Sequence, residues 1–226
     1  MTLKSKLDAF KTDFEAGKPP YNVPYSVIEV MHRATAELRA SGLAGGALKV
    51  GDLAPAFSLS DAEGVTVSSA ELLKQGPLVV SFYRGVWCPY CNMDLQALEA
   101  ELPQINALGA SLVALSPQTA SNSRKSVRQN KLSFPVLNDA NNAVAAAFGV
   151  RYELPDYLIA LYTALKNDLP GFNGDDSWAL PMPSRFVVGV DGVVVYAEVD
   201  PDYTNRPETA LLLAPLQNAV AMAAQV

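Results

Sequence analysis

The 226-residue sequence predicts an α/β fold: a mixed central β-sheet flanked by helices, with an N-terminal helical extension. Three observations carry this. Residues 78–83 (LVVSFY) are a near-continuous apolar run, the mark of a strand buried on both faces. From residue 50 onward, short apolar runs alternate with helical periodicities. Residues 184–199 read as two strands joined at Asp191-Gly192, a dipeptide suited to a hairpin turn.

The elements follow in order. Leu3, Leu7, Phe10 and Phe14 share one face of a short amphipathic helix that ends at 17–20. Pro24 suits the first turn of a second helix, with Val27, Met31, Ala34 and Leu38 as its apolar stripe and Ser41-Gly42 as its stop. Residues 1–48 thus form an extension too small to hold a core, and 49–226 form the main domain. There, 56–59 is a short strand turned at 61–64, and Ser68 with Glu71 makes a capping box. The buried strand 78–83 leads into a helix over 88–108, with Pro103 as a kink. A strand at 111–115, a polar helix at 119–129 and a strand at 134–137 come next. Asp139 caps a helix at 141–148 that Gly149 closes. Pro155-Asp156 starts another helix, 171–177 is an exposed loop, and a last helix runs over about 207–224 after the hairpin. Parallel β-α-β units followed by a hairpin and a helix predict one mixed sheet covered by helices.

Composition narrows the function. The net charge of -6 and the solvated-face spacing of Arg124, Lys125, Arg128 and Lys131 argue against nucleic acid. No apolar run is long enough for a membrane span. Met1 to Glu15 lacks the apolar core and cleavage site of a secretory signal, which predicts a cytoplasmic protein.

Cys88 and Cys91 are the two cysteines of the chain. This excludes a disulfide framework and a four-cysteine zinc site. His32, on the exposed face of the extension, completes no ligand set, so neither a metal nor an organic cofactor is implied. The order buried strand, short turn, Cys88, helix puts Cys88 at a helix N-terminus, where free N–H groups and the helix dipole favour a thiolate. Arg84 adds positive charge nearby. Cys91 falls one turn later, at a separation suited to a disulfide. Cys88 would attack, and Cys91 would resolve the mixed disulfide. Pro89 rigidifies the first helical turn.

The segment Trp87-Cys88-Pro89-Tyr90-Cys91 after a strand resembles the active site of the thioredoxin-like fold. The wider frame resembles the alkyl hydroperoxide reductase/thiol-specific antioxidant (AhpC/TSA) family, the peroxiredoxin-like proteins. Residues 51–57 (GDLAPAF), 79–84 (VVSFYR), 111–117 (SLVALSP) and 134–137 (FPVL) carry the likeness. The tail 200–208 (DPDYTNRPE) is similar to that of a CxxC-containing subgroup. The resemblance implies that Trp87 packs over the active-site loop and that Tyr83 lines the site with Arg84. It also implies that Pro183 is a cis-proline facing the cysteines, with Arg185 standing in for the family's arginine. Peroxiredoxins keep a proline seven residues, and a threonine or serine three residues, before the peroxidatic cysteine. Aligned on Phe82-Tyr83, Cys91 takes the peroxidatic position, with Arg84 and Cys88 in place of the proline and threonine. Aligned on the thioredoxin motif, Cys88 is the nucleophile.

Three functions compete. The first is a thiol-disulfide oxidoreductase with antioxidant activity that reduces disulfides, fed by a thioredoxin or glutathione system. The second is a thiol peroxidase that reduces hydroperoxides. The third is a non-enzymatic redox-sensing module acting through residues 1–48. The apolar stripe of the first helix needs a surface, either its own domain or a second subunit of a homodimer.

Overall fold

The computed structural model describes residues 1–223. It begins with two helices, α1 (Leu3–Glu15) and α2 (Tyr25–Ala40). Thr2 caps α1 by accepting the Ser5 N–H at 3.2 Å. Pro24 is the cap of α2 rather than part of its first turn. A small hairpin follows, β1 (Ser58–Ser60) with β2 (Thr66–Ser68), and Ser68 caps the short α3 (Ser69–Leu73). The apolar run becomes β3 (Leu78–Phe82), all of it buried. Then come α4 (Pro89–Ala107), β4 (Ser111–Ser116), α5 (Ala120–Asn130) and β5 (Val136–Asn138). Pro103 lies within α4, which runs on past it to Ala107. Asp139 accepts the N–H groups of Val144 and Ala145 at the start of α6 (Ala143–Ala147). The chain continues through β6 (Arg151–Glu153), α7 (Asp156–Ala164) and α8 (Leu169–Asn173). It ends with β7 (Ala179–Pro181), the hairpin β8 (Ser184–Val188) and β9 (Val194–Val199), and α9 (Leu213–Ala223).

The main sheet has the order β5-β4-β3-β8-β9, with β3, β4 and β5 parallel and β8 and β9 antiparallel. This is the mixed sheet the alternating pattern predicts. The pleat sends Leu78, Val80 and Phe82 into one core layer, and Val79 and Tyr83 into the other. Each large apolar side chain so buried contributes on the order of 1.5–3 kcal/mol. The second layer lies under α4, whose Leu95, Leu98 and Ile105 are fully buried.

The extension packs on its own chain. Leu3 and Leu7 of α1 join the layer beneath α4, and α2 lies against α7. Glu208 fixes the start of α1 by accepting the N–H of Leu3 and Lys4 at 3.1 and 2.9 Å. The stripe of α1 is thus covered without a second subunit.

Two expectations need correction. The segment 171–177 is not all loop, because Asp168 caps α8 by accepting the Gly171 N–H. Met182–Pro183 is trans; the cis X-Pro bond among the described residues is Pro19–Pro20. Pro183 is buried at the start of β8, where an ordinary trans proline continues the strand, so it presents no free backbone edge. The expected helix end at Ala224 lies outside the described residues. Among those residues, no helix is long and apolar enough to cross a membrane.

Candidate active site

β3 delivers the chain to Tyr83 and Arg84, and a tight turn through Gly85 and Val86 returns it to Cys88 at the start of α4. Gly85 has φ +149, and a Cβ there would lie 2.5 Å from Trp87 Nε1, so the turn requires glycine. A buried amide network holds the turn from beneath. The Val86 N–H donates to Gln118 Oε1 at 2.9 Å, and Asn92 Nδ2 donates to the Val86 carbonyl at 2.8 Å. Gln118 Nε2 donates in turn to Tyr83 Oη at 2.6 Å and Ser126 Oγ at 2.9 Å. Tyr83 therefore braces the turn from inside the core rather than lining a surface.

Cys88 is the N-cap residue of α4 and Pro89 its first residue. Both thiols are free and buried. They differ in access: Cys88 lines a narrow groove of about 180 Å³, floored by Trp87 and Tyr90 and walled by Phe10, Phe14, Tyr162 and Tyr203. Cys91 lies beneath it. The aromatic wall is interlocked, with Tyr90 edge-on to Phe10 at 4.9 Å and to Tyr203 at 5.7 Å.

Three arginines surround the thiols, each buried. The Arg84 guanidinium lies 4.7 Å from the Trp87 ring centroid and 4.1 Å from that of Tyr203, and donates to Tyr162 Oη. Its Nε has no partner, nor does Trp87 Nε1. Arg206 Nη2 lies 3.4 Å from Cys91 Sγ, and its Nε donates to Asp94 Oδ2 at 3.1 Å. Arg185 donates to Asp94 Oδ1 and to the Pro207 carbonyl. Arg185 thus holds the Asp94–Arg206 assembly, while Arg206 occupies the place beside a cysteine.

These charges separate the two thiols. Burial alone would raise the Cys88 thiol, but the adjacent Cys91 thiol and the Arg84 and Arg206 cations outweigh it and bring it down to about 6. Burial pushes the Cys91 thiol up, and the neighbouring Cys88 adds to this. The arrangement therefore favours a thiolate at Cys88 over one at Cys91.

The structure brings Arg84, Trp87, Cys88 and Pro89 together at one groove, with Cys91 directly below. Tyr83 and Arg185 stand one contact away, and Pro183 does not line the groove. Arg206, Asp94, Tyr203 and Gln118 were not singled out from sequence. A signal existed for Asp94, an acid three residues after Cys91 that falls beside Leu95 and Leu98 on the buried face of the helix. Arg206 and Tyr203 lie in the tail quoted above, with no spacing that ties them to the cysteines. Among the described residues, no cluster of three or more His, Cys, Asp or Glu side chains is placed to hold a metal.

Comparison with known proteins places the chain in a family. The AhpC/TSA family model matches residues 50–197. A putative peroxiredoxin of Mycobacterium tuberculosis is 30% identical over 104 residues, covering 46% of this chain and 68% of that one. Peroxiredoxin Bcp of Escherichia coli is 29% identical over 103 residues, 46% of this chain and 65% of its own. The chloroplastic peroxiredoxin Q of Triticum aestivum is 28% identical and is covered over 52% of its length. Among solved structures, peroxidoxin BcpB of Mycobacterium tuberculosis superposes with a TM-score of 0.57 at 22% identity, covering 79% of this chain and 98% of that one. A mutant of peroxiredoxin 6 from Arenicola marina gives a TM-score of 0.61 at 16% identity, covering 79% and 76%. These likenesses establish the thioredoxin-like fold. Helices α1 and α2 and the Arg206 cation lie outside the matched segment.

Proposed function

The chain belongs to the AhpC/TSA family, and on that premise we propose that it is a thiol peroxidase in which Cys88 reduces a hydroperoxide and Cys91 resolves the product. One observation carries this reading: the buried Cys88 thiol lines a small groove that it shares with a buried guanidinium whose Nε is unpartnered. The Cys88 thiolate attacks one oxygen of the hydroperoxide. The O–O bond breaks, the hydroxyl stays on sulfur so that Cys88 becomes a sulfenic acid, and the alkoxide leaves and takes a proton from water to become the alcohol. Arg84 supplies positive charge and an N–H to the oxygen that develops charge, a task for which neither alignment leaves a threonine. Cys91 then attacks the sulfenic sulfur, water leaves, and the Cys88–Cys91 disulfide forms. A two-electron thiol reductant, of the thioredoxin or glutathione class, restores the dithiol. A reducing compartment such as the cytoplasm suits this cycle.

The peroxidase reading is favoured over reduction of protein disulfides because Cys88 is only 1% exposed and Pro183 is trans and buried. Reduction of small-molecule disulfides remains the second reading, favoured by the adjacent dithiol. Residues 1–48 act in both as the cover of the groove, through Phe10, Phe14 and Met31.

Stopped-flow oxidation of the reduced protein by hydrogen peroxide and by cumene hydroperoxide, followed by tryptophan fluorescence, tests the proposal. Rapid second-order oxidation that disappears in Cys88→Ser is expected. Sluggish oxidation by both, with fast reduction of a small disulfide, would replace it with the second reading.

A further inference from the structure

A second cavity of about 180 Å³ lies between α2 and α7 and shares Arg84, Tyr162 and Tyr203 with the Cys88 groove. Met31 and Leu38 of α2 and Leu158 and Tyr162 of α7 form its apolar walls, with Tyr152 and Tyr203 at the ends. Arg84 lines both this cavity and the groove. We propose that this cavity binds a small organic carboxylate through Arg84, and that the bound anion competes with the Cys88 thiolate for that guanidinium.

The charge pattern points to this. Arg185 and Arg206 share the buried Asp94. Arg84 is 2% exposed and makes no ion pair with a carboxylate among the described residues. It is held by two aromatic faces and one tyrosine hydroxyl. A cation this buried is usually paired. The acids at the cavity mouth are engaged elsewhere: Glu37 accepts from Arg33 at 2.8 Å and Tyr157 at 2.5 Å, and Glu153 pairs with Arg151 at 3.0 Å. The counter-ion available to Arg84 inside the protein is the Cys88 thiolate.

The cavity thus offers one cation, apolar walls from Met31, Leu38 and Leu158, and two carboxylates, Glu37 and Glu153, that are already paired. Its volume matches roughly six waters, enough for a short alkyl or aryl chain bearing one carboxylate. Arg84 and the α7 wall lie inside the family match, whereas the α2 wall lies outside it, so the cavity is closed by this chain's extension.

Competition for one guanidinium makes the coupling reciprocal. The carboxylate binds more tightly when Cys88 is in the neutral disulfide than when it is a thiolate. Bound carboxylate, in turn, makes the reduced thiol less acidic and slower to react. The ligand would report the redox state of the pair and restrain its attack. Only the coupling rests on the Cys88 role proposed above; binding at Arg84 does not.

Calorimetric titration of the full chain with hexanoate, and with hexan-1-ol as the uncharged control, tests both halves. Hexanoate is expected to bind the disulfide form about tenfold (~1.4 kcal/mol) more tightly than the dithiol form at pH 7.5. Hexan-1-ol should bind more weakly than hexanoate in both. Ala34→Phe fills the cavity and should abolish hexanoate binding while peroxide oxidation without hexanoate is unchanged. Arg84→Gln should reduce hexanoate to the level of hexan-1-ol, and if it does not fold, Ala34→Phe decides alone. Equal affinity for hexanoate and hexan-1-ol, or hexanoate binding that survives Ala34→Phe, would overturn the site. Equal affinity in the two redox states would overturn the competition. Hexanoate binding in a protein inert to peroxide would remove the peroxidase proposal and leave the site standing.

Discussion

Replacing Asp94 by asparagine should make the protein less stable and its nucleophile more acidic. The Asp94 side chain is 2% exposed and is the shared partner of Arg185 and Arg206, the latter at 3.1 Å. Asparagine keeps the shape but removes the charge, leaving two buried cations without a carboxylate partner. Removing one partner of a buried ion pair costs about 3–5 kcal/mol, a large part of the 5–15 kcal/mol typical of a folded domain. The thiol responds in the opposite sense. Asp94 is six residues after Cys88 on α4, about 9 Å along the axis at 1.5 Å per residue. A unit charge at that distance is worth ~1.8 kcal/mol at an effective dielectric of about 20, or about one pKa unit. With the negative charge gone, the Cys88 midpoint should fall by about that much from near 6. Urea unfolding followed by circular dichroism reads the first effect. The pH dependence of iodoacetamide alkylation, with the modified cysteine identified by mass spectrometry, reads the second. A stability loss below about 1 kcal/mol, or a midpoint that stays or rises, would refute the view that Asp94 restrains the cations serving the thiolate.

Other predictions follow from the same geometry. Stability of the reduced protein should rise with pH between about 6 and the unfolded-thiol value of about 8.5, because there the unfolded chain holds a Cys88 proton that the folded one has released. Above that value it should fall, since the folded chain retains a Cys91 proton that the unfolded one loses; urea midpoints across this range check both limbs, and Cys88→Ser should lack the rising one. Cys91→Ser should still be oxidised once by peroxide but should stall as a sulfenic acid, trapped by dimedone; a normal catalytic cycle in that variant would remove Cys91 as the resolving thiol. Gly85→Ala should cost on the order of 1–3 kcal/mol and shift Trp87 fluorescence, since the new Cβ meets Trp87 Nε1; an unchanged spectrum would show that the turn tolerates a side chain.

Much of the fold was legible because its causes are local. The apolar run 78–82 demanded burial on both faces, and it became the central strand. The stripe Leu3, Leu7, Phe10 and Phe14 demanded a covering surface, though not which one. The alternation of strands and helices fixed the sheet class before any contact was known. Two features were not legible, one resting on likeness and one on a single local cap. Nothing in Met182-Pro183 itself selects a cis bond, and the chain keeps it trans at a buried strand start. The short α8 was hidden in a glycine-rich stretch whose helical turn depends on one cap from Asp168.

The candidate site divides along the same line. Cys88 at a helix N-terminus with Cys91 one turn below is a property of consecutive residues, so the sequence alone determined the placement of the two thiols. The environment of that pair was decided by tertiary structure. Arg206 reaches Cys91 across 115 residues, Arg185 reaches Asp94 across 91, and α1 and α2 close over the groove from the other end of the chain. Such contacts leave no periodic trace, because a cation in a loop looks the same in sequence whether it meets water or a buried thiol. Only the docking of distant segments removes the water that would otherwise screen those charges, and with it sets which sulfur carries the negative charge.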